Sequence, residues 1–353
     1  MEHRYSLNTS IRCDLLNDGL VVMVADNEPV LITEGIDEYL EFLSIFRFPV
    51  SKEIGLEQLN NAFYVNNSNY NKIFEFSIEN NIIKTYDDNV DSIKTLSDYQ
   101  LQKFDRQIKS FNTLKGLNYS DAHGMQCKLV NSKIIIIGVG GIGSYLSLSL
   151  ASMGVEDMVI IDKDEIELSN TSRQILYSED DIGKSKVQVA ARKLKKYNKN
   201  LKLHTYEKFI TTIDDLQIIR DHHDADLIVL CADTPRGEIQ YMVDQISQDL
   251  KIPWMFFGPY NHSKVVIGPL IIPGKTKSYS DIFPKLMVKN DCRTEIINEN
   301  FIASIIDPFN GIAAKMASIE ILKYITGYHM NSIEQKRILL DTDDWIIEKR
   351  LLD

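Results

Sequence analysis

The chain is poor in cysteine. Four occur in 353 residues, Cys13, Cys127, Cys231 and Cys292, and no two are spaced as a CxxC pair. That spacing supports neither a thiolate metal clamp nor a disulfide framework, and zinc is not expected. A reducing, cytoplasmic setting is therefore the expectation. Long apolar runs are missing too, so no segment reads as a signal core or a membrane span. Positive charge is in deficit, with 39 Lys and Arg against 50 Asp and Glu, a net charge of −11. Such a balance opposes broad attraction to nucleic acid or to anionic membranes, and neither is expected as a partner. Internal repeats and low-complexity tracts are also lacking.

What is present describes a globular protein. The hydrophobic fraction is 44% and the charged fraction 25%, near the averages of folded chains. The length suits two domains, placed here at 1–90 and 91–353. In the first, β-prone runs at 20–24 and 29–32 flank an Asp26-Asn27-Glu28 turn and predict a hairpin. Apolar residues at helical spacing then predict three helices: Ile36, Leu40 and Leu43; Leu56, Leu59 and Phe63; Tyr70, Ile73, Phe74 and Ile78. A hairpin with three helices is a small winged-helix-like module. It carries 15 acidic and six basic residues over 1–90, the wrong balance for a DNA backbone.

The polar stretch Thr85-Tyr86-Asp87-Asp88-Asn89 reads as a linker, and 97–114 as helix. Beyond Ser132, buried strands alternate with amphipathic helices, predicting a doubly wound, Rossmann-like parallel sheet. The strands fall at 133–138, 157–162, 201–206, 226–231 and 253–258. A helix at 309–325 is flanked by 264–272 and 337–341, expected as an antiparallel extension. The basic cluster Arg192, Lys193, Lys195 and Lys196 reads as a solvated helix face.

The first strand of the sheet runs into Gly138-Val139-Gly140-Gly141-Ile142-Gly143 and then a helix. Glycines allow the backbone to approach a phosphate, and free N–H groups at a helix start attract it. The next strand ends at Asp162, suited to ribose hydroxyls. These features alone admit any dinucleotide enzyme, NAD- or FAD-dependent included. Further on come Asp164, then Ser169-Asn170-Thr171-Ser172-Arg173-Gln174, then Lys186, then Asp233 after the fourth strand.

In order and spacing, these residues, with the Phe104-Asp105-Arg106-Gln107 entry, resemble the nucleotide site of the ubiquitin-activating-enzyme superfamily. The likeness covers residues 102–327. It implies that Gly138, Gly140, Gly141 and Gly143 cradle ATP, with Asp164, Ser169 and Gln174 lining the site. It further implies that Asp162 holds the ribose, that Asn170, Arg173 and Lys186 hold phosphates, and that Asp233 holds Mg²⁺. Arg106 would reach the γ-phosphate on a second copy, which implies a homodimer. Plainer roles stand beside these: Arg106 as a surface ion pair, Lys186 as a solvated lysine, and Asp233 as the cap of the following helix.

Members that activate sulfur carriers usually hold zinc through paired CxxC motifs, whereas the matching stretch here, Pro269 through Ser280, has no cysteine. With Gly258-Pro259-Tyr260-Asn261 before it, the sequence looks most like the peptide-modifying branch found in microcin C and pantocin A biosynthesis. That resemblance implies activation of a carboxylate on a ribosomally made precursor peptide, held through the N-terminal module. Activation of a ubiquitin-like or sulfur-carrier protein and a non-catalytic nucleotide scaffold are the alternatives. Cys292 lies where ubiquitin-type activators carry a thioester cysteine, and the residues around it assign it no role. A thermal-shift assay separates ATP from dinucleotide chemistry: ATP with Mg²⁺ should raise the melting temperature and NADH should not. Stabilisation by NADH alone would restore the oxidoreductase reading.

Overall fold

The computed structural model describes residues 3–25, 27–63, 67–87, 95–258, 263–285, 305–328 and 333–352. The chain divides into two compact units, Met1–Cys127 and Lys128–Asp353. Of the expected linker, Thr85 and Tyr86 instead pair as part of a strand, while residues 88–94, where the domain boundary was expected, lie outside the described residues.

In the first unit, strands β1 (Arg4–Leu7), β5 (Val50–Ser51) and β6 (Ile83–Tyr86) form one small sheet, in the order β5-β1-β6. A second sheet joins β2 (Arg12–Leu16), β3 (Gly19–Met23) and β4 (Val30–Ile32). The expected hairpin is β3–β4, pairing Leu20 with Ile32. The three expected helices are α1 (Ile36–Ile45), α2 (Lys52–Phe63) and α3 (Asn67–Glu79). Their apolar stripes meet in a core of Leu20, Val22, Phe42, Phe46, Leu59, Tyr70 and Phe74, ringed by edge-to-face aromatic contacts. The segment 97–114 is two helices rather than one, α4 (Asp98–Lys103) and α5 (Asp105–Asn112), because Phe104 leaves the helical region at φ −99°, ψ 11°. Helix α6 (Tyr119–Asn131) follows.

A buried polar lattice ties the end of α5 to the strands. Lys84, only 7% exposed, donates from Nζ to the carbonyls of Asn112 and Leu114. Asn8 and Asn81 add bonds to the Thr113 carbonyl at 3.5 and 2.8 Å. These last-turn carbonyls have no partner inside the helix, so the ammonium serves as their cap.

The second unit is one eight-stranded sheet. Its strands are β7 (Lys133–Ile137), β8 (Asp157–Ile161), β9 (Lys202–Tyr206), β10 (Leu227–Leu230), β11 (Trp254–Phe257), β12 (Lys264–Ile271), β13 (Lys336–Asp341) and β14 (Ile346–Leu351). The order is β14-β13-β12-β11-β10-β7-β8-β9, parallel from β11 to β9 and antiparallel from β11 to β14. All five expected parallel strands are present within a residue or so at each end. One face packs on α7 (Gly141–Met153), α8 (Lys186–Tyr197) and α11 (Asp307–Thr326). The other packs on α9 (Ile239–Leu250) and the 3-10 segment Ile213–His222, while the short α10 (Tyr279–Ile282) lies beside Trp254 and Phe256. Strand order reverses between β7 and β10, and the loops after these two strands open the crevice where such sheets bind ligands.

Burial holds the Lys84 ammonium down, to about 8 from an ordinary 10.5. Between these values the unfolded chain keeps a proton that the folded chain releases, so this group's contribution to stability rises with pH across that window. Lys84→Met should cost about 2 kcal/mol at pH 7 by orphaning buried carbonyls. Denaturation curves should then show the gap to wild type widening from pH 8 to 10, and a constant gap would exclude a buried ammonium.

Candidate active site

Two glycines set the shape of the loop after β7. Gly138 sits at φ +91°, and a Cβ there would lie 2.8 Å from the backbone nitrogen of Ala232. At Gly143 a Cβ would stand 2.0 Å from the Gly138 carbonyl oxygen. The loop thus folds tightly back on itself and against the end of β10, and Asp233 follows directly. Gly141 is crowded by the Asn310 side chain, with a Cβ 2.7 Å from Nδ2. Gly140 differs from these three: its nearest neighbour would be Gln174 Nε2, at 3.7 Å. Protein packing does not demand a glycine there, and the open side is the side a phosphate would approach. Helix α7 begins with no side-chain cap, leaving its first N–H groups to an anion.

Asp162 closes the other side of the loop. Its Oδ2 accepts from the Val139 N–H at 2.8 Å and its Oδ1 from the Asp164 N–H at 2.9 Å. Burial raises its pKa, while Lys186 and those two amides pull the other way, and the net is upward. Each oxygen keeps a lone pair for a hydroxyl donor. Lys186 is 6% exposed and reaches the Asp164 carboxylate at 2.9 Å, so it is not a solvated first-turn lysine.

The segment after Asp164 is held by its own side chains. Asn170, buried, accepts from the Glu167 N–H at 3.1 Å and donates to the Ser169 hydroxyl at 3.4 Å. The Arg173 guanidinium donates to the Ser169 carbonyl, which folds the side chain along its own turn. Gln174 is buried beside Gly140, and its Oε1 has no hydrogen-bond partner. An unpaired acceptor at this depth is costly unless a donor arrives from outside the chain.

Asp233 is exposed, and its carboxylate accepts from the Thr234 hydroxyl at 3.3 Å. Helix α9 begins at Ile239 after Glu238, which removes the capping role for Asp233. A lone hard-oxygen ligand completed by phosphate oxygens and water fits Mg²⁺. Among the described residues no cluster of three or more metal-binding side chains occurs. Arg106, on α5 in the other unit, has a side chain 93% exposed and lies 3.8 Å from Asp105. Cys292, Pro259, Tyr260 and Asn261 lie outside the described residues.

Several residues escaped the sequence reading. Tyr177, buried, donates its hydroxyl to the Val139 carbonyl at 2.9 Å and lies 3.4 Å from the Lys186 carbonyl, joining the glycine loop to the start of α8; burial pushes its pKa up. Asn310 donates to the Arg173 carbonyl at 3.4 Å while packed on Gly141. Tyr145 donates to Asp307, and burial with that bond pushes the phenol up to about 12. No pattern in the sequence pairs these positions, which lie on different elements. The basic cluster also resolved: Arg192 and Lys193 bind the buried Asp181 at 2.7 and 2.5 Å. Burial alone would raise the Asp181 pKa, but hydrogen bonds from Lys193 and from the Ser178 hydroxyl and N–H win and hold it well below the ordinary value.

Over residues 279–280, a carboxylate fastens the chain. Asp244, 3% exposed, accepts from Trp254 Nε1 at 3.3 Å, the Tyr279 N–H at 3.0 Å, and the Ser280 N–H and hydroxyl at 3.2 and 3.1 Å. The stretch 269–280 offers no sulfur or imidazole to a metal, so its residues do not fit zinc.

Comparisons with known proteins bear on this site. The model of the ThiF family matches residues 104–348. The adenylyltransferase and sulfurtransferase UBA4 of Scheffersomyces stipitis is 26% identical over 269 residues, 73% of this chain and 56% of that one. The chain thus spans little more than half of this relative's length. The sulfur carrier protein ThiS adenylyltransferase of Escherichia coli is 26% identical over 204 residues, 57% of this chain and 75% of that one. Among solved structures, E. coli MccB with ATP superposes with a TM-score of 0.78 at 26% identity, covering 99% of this chain and 96% of MccB.

Asp244→Ala should leave two part-buried N–H groups and the buried indole without an acceptor and cost about 2 kcal/mol. A chelator should not move the melting temperature of the wild type. Loss of stability on chelation would show that a metal, not Asp244, holds this segment.

Proposed function

The chain belongs to the ThiF family, and from that premise we propose that it uses ATP to activate a carboxylate on a ribosomally made precursor peptide, as a step in peptide antibiotic biosynthesis. The observation that carries the peptide reading is one of coverage. The family model begins at residue 104, whereas the likeness to MccB takes in 99% of the chain, N-terminal unit included. MccB has been seen with N-formylated MccA, in a structure superposing at a TM-score of 0.78 and 25% identity.

The chemistry follows from charge. A carboxylate is already ionised at neutral pH and needs no base to attack phosphorus. The obstacle is repulsion between two anions, which fixed cations reduce most effectively where water is excluded. In this reading Arg173 and Lys186 face the phosphates with Asn170, the α7 N-terminus and Gly140 receive them, and Asp162 takes the ribose. Asp164 would hold Lys186 ready until ATP binds, and the free Gln174 Oε1 would accept from a ligand hydroxyl or amine. Asp233 would hold Mg²⁺, which supplies further positive charge at the phosphates. The carboxylate oxygen bonds to the α-phosphorus and pyrophosphate leaves, giving an acyl-adenylate. The next attack, by an amide or by the peptide backbone, would decide between nucleotidylation and dehydration or cyclisation.

Arg106, solvent-facing here, would act on a second copy's γ-phosphate in a homodimer. The acidic N-terminal module would hold the peptide's leader by strand addition to an open sheet edge. The second reading, adenylation of a sulfur-carrier C-terminus, draws on the ThiS adenylyltransferase and UBA4 likenesses.

With ATP, Mg²⁺ and a short peptide encoded beside its gene, the enzyme should consume ATP only when the peptide is present. Asp233→Ala should reduce turnover at least a hundredfold with the fold intact by circular dichroism. Unchanged turnover in that variant, or activity only with a small protein ending in Gly-Gly, would overturn the peptide reading.

A further inference from the structure

Far along the sheet from the glycine loop, on the β11–β14 side, an arginine is held in surroundings that do not neutralise it. Arg337, on β13, is half-buried, with its guanidinium 4.8 Å from the ring centre of Phe283 and 5.4 Å from that of Phe256. Its Nε is buried without a hydrogen-bond partner. Among the described residues no carboxylate lies within ion-pair distance of it, while burial lowers its pKa. Ring faces offset part of that cost, but a desolvated charge is ordinarily matched by an opposite one.

A second observation points the same way. Arg337 pairs directly across the hairpin with Arg350 on β14. Side chains of directly paired residues share a face, and like charges there repel. Glu348 is committed to Arg350, accepting from Nε at 3.0 Å and Nη2 at 2.7 Å. Two guanidinium groups thus stand on one face with a single carboxylate that is bonded to Arg350 alone, in a chain whose net charge is −11. The excess of positive charge is local and built in.

We propose that Arg337 and Arg350, walled by Phe256 and Phe283, form a subsite for a carboxylate of the peptide substrate, separate from the phosphate-binding residues. The proposal rests on the peptide reading above for its occupant. The partly exposed Phe283 ring suits a short apolar neighbour of that carboxylate, the buried Phe256 supports the guanidinium from beneath, and planar guanidinium groups suit bidentate pairing with it. The carboxylate comes either from an acidic side chain or from the peptide terminus.

The test is binding rather than turnover, which keeps it distinct from a test of ATP chemistry. Fluorescently labelled hexapeptides with two aspartates, and their asparagine twins, each as free acid and as C-terminal amide, are titrated by anisotropy in the presence of ATP and Mg²⁺. The wild type should prefer the carboxylate-bearing form by about threefold or more, a charge-assisted bond discounted for partial exposure. Arg337→Gln should erase that preference while its ATP affinity is unchanged, and Arg337→Lys should restore part of it. Arg350→Gln, at an exposed position whose loss should leave the fold intact, should weaken it. Preference that follows aspartate assigns a side chain, and preference that follows the free terminus assigns the terminal carboxylate. Equal binding of all four peptides by the wild type, or a preference that survives in the double variant, overturns the subsite.

Discussion

The nucleotide side of the molecule depends on one close approach, the backbone of Gly143 against the carbonyl of Gly138. No side-chain carbon fits between them, so the helix after the first sheet strand starts against the loop it grows from. Its uncapped N–H groups are thereby aimed at the crevice where strand order reverses. Asp162 fixes the same loop from the neighbouring strand, and Tyr177 ties it to the lysine helix. Asp162 then has a place set by backbone amides rather than by its own flexibility, the kind of pre-organisation that electrostatic catalysis requires.

The Lys186–Asp164 pair has a matching logic. A buried ammonium without an anion is costly. Asp164, half-exposed, neutralises the lysine. Gln174 stands in the opposite condition, with an acceptor left open beside Gly140. One group is satisfied within the chain, and the other is not.

The sheet was legible because Ile134 to Ile137, Met158 to Ile161 and Leu227 to Leu230 are buried on both faces and announce themselves as apolar runs. The residues proposed above for the phosphates could be named because each follows a strand end at a recognisable distance. What escaped was of two kinds. Strand β2, with exposed Leu15 and Leu16, and β14, exposed throughout, bury too little for a period-two pattern to appear. Tyr177, Asn310 and Asp244 act through contacts between elements distant in sequence, which spacing along the chain does not encode. Asp244 is the instructive case, since the missing cysteines said only that zinc was not expected and gave no sign of the carboxylate that fastens the segment.

The account's central claim is that a peptide carboxylate attacks the α-phosphorus of ATP at this site. Transfer of oxygen-18 from a labelled peptide carboxylate tests it most directly. Mass spectrometry should find the label in the phosphoryl group of the AMP formed or joined to the peptide. Label that stays wholly in the peptide, or appears in inorganic phosphate, would contradict it.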